Sequence, residues 1–169
     1  MNDVGDETIG ALLERRARLH PDDTYCTFRD ERITFRLLKR RVDQVATLLK
    51  AHGLVRGDRV AVMLPSHPEH LYVIFALAQL GMVRVPINVH LIGAPLEHLL
   101  TELAPQALVV DCAYEAARAG RAAPGPTRIR RNGVDGEFDA YAACVEDTAP
   151  LDTAADDIVA LTLRIVVAV

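Results

Sequence analysis

His67 and His70 stand one helical turn apart with Glu69 between them, a spacing that can turn two imidazoles toward one metal ion. No third ligand accompanies them and Glu69 suits a capping role, so the pair reads as surface and helix-start histidines. His90 and His98 flank a loop that follows a strand, the end of an open α/β sheet where ligands bind, and are minor pocket candidates. Arg36, Lys39, Arg40 and Arg41 crowd half of one helix. Phosphate would suit such a cluster, but without a glycine loop or aromatic companions it reads as a solvated helix face. Ser66 lies in no G-x-S-x-G elbow, which leaves a hydrolase nucleophile unsupported. Neither G-x-G-x-x-G nor a P-loop occurs. Cys26, Cys112 and Cys144 are odd in number, far apart and outside C-x-x-C spacing, so buried reduced thiols are expected rather than a disulfide, metal site or nucleophile. No residue is assigned to catalysis, to a cofactor or to a metal.

The elements that would position these residues centre on Asp58 to His90. Val60 to Leu64 is an unbroken apolar run, the pattern of a strand covered on both faces. Ser66, Pro68 and Glu69 then have the spacing of a helix start in which Ser66 accepts from first-turn amides and Glu69 reaches back. The helix carries Leu71, Ile74, Phe75, Leu77, Ala78 and Leu80 to a left-handed cap at Gly81. A strand from Met82 to Ile87 completes a βαβ unit with a right-handed crossover.

Upstream, Ile9 to Leu19 is an amphipathic helix with Ile9, Leu12, Leu13 and Ala17 as its apolar face. Tyr25 to Phe28 and Arg32 to Thr34 flank Arg29-Asp30-Glu31 as a hairpin. Thr34 caps a helix with Phe35, Leu38, Val42, Val45, Ala46 and Leu49 on one face, closed by Gly53. Downstream come a helix from Pro95 to Leu103, a buried strand from Ala107 to Asp111, a helix from Tyr114 to Ala122, a weaker strand from Thr127 to Arg130, and a short helix within Phe138 to Val145. The alternation predicts an α/β fold with a largely parallel, doubly wound sheet and helices on both faces. One α/β unit is expected over 1–169: helix, hairpin and capped helix in 1–57, βα repeats in 58–131, a loop-rich connector in 132–157 and an apolar terminal strand in 158–169.

Composition limits the partners. Of the 169 residues 50% are hydrophobic and 25% charged, the balance of an ordinary globular chain. A net charge of −4 gives no electrostatic ground for nucleic acid or an anionic membrane. MNDVGDETIG lacks the order of a secretion signal, and no apolar run reaches the ~20 residues of a membrane helix, so a cytoplasmic location is expected.

Several short motifs stand in one register: Thr34-Phe35, Gly53, Gly57-Asp58-Arg59-Val60-Ala61-Val62, Leu64-Pro65, Pro68-Glu69, Gly81 and Val85-Pro86-Ile87-Asn88. In this order they resemble the opening part of the large amino-terminal domain of the adenylate-forming superfamily, the AMP-dependent synthetases and ligases. The resemblance runs from the first helix to Asp156-Asp157-Ile158, and the fold it implies is an incomplete amino-terminal portion of that architecture. Asn88 stands where amino-acid-activating members usually carry Asp, which points to the acyl-CoA or aryl-CoA synthetase branch.

Two departures from the family pattern matter. Leu37 occupies a position that is commonly Glu, so Thr34 caps without the reciprocal bond, about 0.5–1 kcal/mol weaker. After Asp157-Ile158-Val159-Ala160-Leu161-Thr162, relatives enter a Ser/Thr/Gly loop ending in Lys that wraps the ATP phosphates. This sequence reads Leu163-Arg164-Ile165-Val166-Val167-Ala168-Val169 instead, without glycine for close backbone approach. The resemblance implies ATP-dependent activation of a fatty or aryl acid to an acyl adenylate, then transfer to CoA, with Mg²⁺. Because the family's phosphate loop, metal ligand, ribose ligand and catalytic Lys have no counterpart here, the expectation is a truncated acyl-CoA synthetase-like protein, inactive alone and needing no cofactor by itself. Asp156 and Asp157 receive no metal role, since in relatives they only precede the strand leading to that loop. The alternatives are a non-catalytic α/β binding or interaction module, or an unrelated doubly wound small-molecule-binding domain. The apolar 158–169 stretch is expected to favour self-association.

Overall fold

In a computed structural model, residues 8–115, 126–131, 138 and 141–142 are described. Helix α1 (Ile9–Leu19) leads into a hairpin of β1 (Thr24–Phe28) and β2 (Glu31–Thr34), then α2 (Phe35–Ala51). There follow β3 (Arg59–Met63), α3 (Pro68–Gln79), β4 (Val83–Pro86), α4 (Ala94–Leu103), β5 (Ala107–Asp111), the single turn α5 (Cys112–Glu115) and β6 (Thr127–Arg131). The hairpin is antiparallel and stands apart, whereas β4, β3, β5 and β6 form, in that order, one parallel sheet.

Unbroken apolar strands are the reason for two helical layers. Side chains alternate along a strand, so β3 sends Val60 and Val62 to one face and Ala61 and Met63 to the other. On β5, Ala107 and Val109 oppose Leu108 and Val110 in the same way. The first face is covered by α2 and α3 through Leu38, Val42, Val45, Leu49, Val73 and Leu77. The second is covered by α4 through Leu96, Leu99 and Leu103. The sheet is therefore buried on both sides, as the α/β expectation required.

Helix ends follow from local chemistry. Thr34 Oγ1 accepts from the Leu37 amide at 3.2 Å and caps α2 alone, as the absence of Glu at residue 37 implied. Helix α3 closes with Gly81 at φ +62, the Gly81 amide donating to Ala78 and the Met82 amide to Leu77. Glycine is needed there because a Cβ disfavours that left-handed backbone.

Several local expectations are corrected. The extended residue before α3 is His67, with no side-chain cap, and Pro68 opens the helix; Ser66 is exposed and one residue too early to cap. Glu69 reaches Arg131 and lies beside His67 rather than returning to a first-turn amide, because a partly buried cation competes better for a carboxylate than a backbone amide does. On α1, Ile9 and Leu12 are exposed at 42% and 40%, and only Gly10 and Leu13 are buried. The turn α5 begins at Cys112 rather than Tyr114; the remainder of the helix expected to Ala122, and most of the one in Phe138 to Val145, lie outside the described residues. Cys26 and Cys112 are free thiols, partly rather than fully buried, and Cys144 is outside the described residues.

Candidate functional site

The strand order places a topological switch between β3 and β5: the chain leaves β3 toward β4 on one side and β5 toward β6 on the other. Loops diverging in this way open a crevice at the carboxyl end of the sheet, the usual ligand position in such folds. Three charged side chains meet at this end of the sheet. Arg131, the last residue of β6, is paired in register with Asp111, the last of β5. Its Nη1 donates to Asp111 Oδ2 at 2.6 Å, and its Nε donates to Glu69 Oε2 on the first turn of α3. Asp111 Oδ1 also accepts from the Ala113 amide at 2.9 Å. The side chains of Arg131, Asp111 and Glu69 are 10%, 6% and 17% exposed, so the pairs are largely withdrawn from water. Burial alone would press the guanidinium toward neutrality, but Glu69 and Asp111 outweigh it and hold Arg131 above its ordinary value. His67 completes the group, with Nδ1 2.9 Å from Glu69 Oε2 and its ring edge-on to Phe28 of the hairpin at 5.2 Å.

The histidines do not share a site. Burial, then the charge of Arg84, lowers the His70 value against a backbone hydrogen bond at Pro65. His70 thus meets burial and a cation, whereas His67 faces a carboxylate. Among the described residues no cluster of three or more His, Cys, Asp and Glu side chains is placed to hold a metal. His90 and His98 are both exposed; the His90 amide donates to Asn88 Oδ1 at 2.9 Å.

The basic cluster is internally paired rather than merely solvated. Arg36 reaches Asp22 through Nε and Nη2, each at 3.2 Å, and Lys39 Nζ lies 2.6 Å from Asp43 and 3.0 Å from Glu14. Gln79 Nε2 of α3 donates to the same Asp43 at 2.9 Å, which ties α1, α2 and α3 together. Arg41 donates to Gln44 and lies over the Tyr141 ring at 5.7 Å. A hollow of about 350 Å³ beside Arg36, Lys39, Arg40, Asp43 and Ala17 is therefore lined by cations of which Arg36 and Lys39 already hold carboxylates.

These surroundings do not fit ATP phosphate. Pro68 removes an amide from the first turn of α3 and Glu69 adds negative charge there; α4 likewise has a Pro in its first turn, with Glu97. The crevice cation is already held by two carboxylates. Sequence reasoning missed the Arg131 cluster, because Asp111 read only as a strand end and Arg131 fell one residue beyond the expected strand. A charge closing each of two neighbouring strands was the available signal.

The order β4-β3-β5-β6, with helices on both faces, defines an open parallel α/β sheet of the kind found in adenylate-forming enzymes. Residues 13–162 match the family model of the AMP-binding enzymes, and the chain belongs to that family. It is 36% identical over 104 residues to a feruloyl-CoA synthase of an Amycolatopsis species, covering 62% of this chain and 21% of that one. It is 34% identical over 110 residues to a 2-succinylbenzoate–CoA ligase of Bacillus thuringiensis, covering 65% and 23%. The fold resembles a Mycobacterium tuberculosis fatty acyl CoA synthetase with a TM-score of 0.79 at 24% identity, covering 92% of this chain and 32% of that one. The chain thus spans less than a quarter of the length of the two sequence relatives.

Proposed function

We propose that these residues are the opening section of the amino-terminal domain of an acyl- or aryl-CoA ligase, with its sheet and helices as scaffold. The observation that carries this reading is the family match over 13–162 combined with relatives that are CoA ligases. In such a ligase ATP with Mg²⁺ activates a carboxylic acid as its adenylate, and CoA then takes the acyl group. On this reading the 169 residues leave that reaction incomplete by themselves; what supports it is that Leu163 to Val169 contain no Ser, Thr or Gly for a phosphate loop. A cytoplasmic setting is part of this proposal; among the described residues no helix is long and apolar enough to cross a membrane.

The test is ATP–pyrophosphate exchange by the purified chain with a panel of aromatic and fatty acids. Exchange at the blank level is expected. Exchange above blank with any acid overturns the claim that these residues are scaffold only.

A further inference from the structure

Six large apolar side chains are exposed among the described residues, and three of them, Ile9, Leu12 and Leu19, belong to α1. With Arg16 they fall at i, i+3, i+7 and i+10, so the four share one face of the helix. The other side of α1 is occupied: Leu13 is buried, Glu14 lies 3.0 Å from Lys39 of α2, and Ala17 lines the hollow beside the same lysine. The sole acid of α1 is thereby turned toward α2 rather than toward the apolar face. Arg16 and Arg18 are exposed, and among the described residues no carboxylate holds either of them. The acids just beyond the helix are engaged, Asp22 by Arg36 and Asp23 beside His20 at 3.5 Å. A net charge of −4 therefore conceals a face of α1 that is both apolar and cationic.

We propose that this face of α1 docks the protein on the surface of an anionic lipid bilayer, with Ile9, Leu12 and Leu19 among the acyl chains just below the head groups and Arg16 and Arg18 on the lipid phosphates. A helix lies in the plane of such a surface when apolar side chains and cations share its free face: the first gain by leaving water, the second by the negative surface potential. Charge decides between occupants. A second copy applied face to face brings Arg16 and Arg18 against their own counterparts, which like-charge repulsion opposes. Lipid phosphate instead supplies the counter-charge that α1 lacks on this face. The helix is about 16 Å long, so the contact is shallow and reversible. It uses none of the residues at the carboxyl end of the sheet, goes beyond the ligase reading and stands or falls separately from it.

Co-sedimentation of the full 169-residue chain with vesicles tests it, comparing phosphatidylcholine alone with an equal mixture of phosphatidylcholine and phosphatidylglycerol. The unaltered protein is expected to bind the mixed vesicles about tenfold more tightly than phosphatidylcholine, and to lose that margin as salt is raised. Leu12→Ser combined with Leu19→Ser should weaken binding to the mixed vesicles about tenfold. Arg16→Glu combined with Arg18→Glu should bring it down to the phosphatidylcholine level. Val55→Ser, at a comparably exposed apolar side chain outside α1, should leave it unchanged. Equal binding to both vesicles, no binding, or α1 variants that bind like the unaltered chain overturns the proposal, and the last result assigns binding to another part of the chain, such as the apolar stretch 158–169. A Leu12→Ser, Leu19→Ser chain that loses self-association in light scattering but keeps its lipid binding also overturns it, in favour of contact between copies. Circular dichroism checks the fold of each variant. If the leucine pair does not fold, the arginine pair decides on the same terms.

Discussion

Thr34 and Ser66 both precede helices as small hydroxyl residues, yet only Thr34 caps. Its Oγ1 accepts from the amide three residues on, whereas Ser66 is exposed because Pro68 starts α3 directly after His67. Thr34→Ala should therefore lower stability by about 1 kcal/mol. Ser66→Ala, at the residue the sequence marked as the cap of α3, should change it by less than about 0.5 kcal/mol. Urea unfolding midpoints at unchanged slope measure both, and a cost at Ser66 as large as that at Thr34 would contradict the position of the helix start. The hydroxyls were legible as cap candidates from their types. Which one caps depends on where the backbone turns helical, and a proline one residue further on decided that.

At the scale of elements, the seam between α3 and the residues Phe138, Tyr141 and Ala142 holds two buried tyrosines. Burial first, then the neighbouring Tyr141, pushes Tyr72 up to about 12 from 10.0. Burial first, then Glu69, pushes Tyr141 up to about 12 as well. In each case the folded value lies above the unfolded one, so the native state holds the proton more firmly. The stability this supplies is fully present below pH 10.0 and is lost as pH rises toward about 12, at roughly 2–3 kcal/mol per tyrosine. Lys39 acts in the same direction: burial would lower it, but Asp43 and Glu14 hold it above 10.5. Denaturation at a series of alkaline pH values should show the fall, and phenolate absorbance should reveal late-titrating tyrosines. Tyr141→Phe removes one of them and should make the fall shallower; an unchanged fall would show that Tyr141 is not buried in solution. The strands were legible at this scale, β5 to the residue, because an apolar run bounded by proline and charge allows little else. The inward face of α1 was not: four apolar positions were expected inside, and Ile9 and Leu12 remain exposed, because a helix laid across two others buries only the stripe that touches them.

For the molecule as a whole, association is the property that depends on everything at once. Among the described residues the parallel sheet has β4 and β6 as edges, and the sequence also carries the apolar stretch Ile158 to Val169. Exposed sheet edges and apolar stretches favour pairing between chains. Deleting 158–169 should reduce self-association in light scattering across a concentration series, and equal association with and without the stretch would show that it is not responsible. The α/β alternation, the parallel sheet and the kinship with adenylate-forming enzymes were all determined by the sequence itself, since they rest on periodicity, caps and short motifs within a few residues of one another. The contents of the crevice were decided only by the tertiary structure. Arg131 is 62 residues from Glu69 and 20 from Asp111, and a charge does not specify its partner until the strand order brings the ends of β5 and β6 to the start of α3.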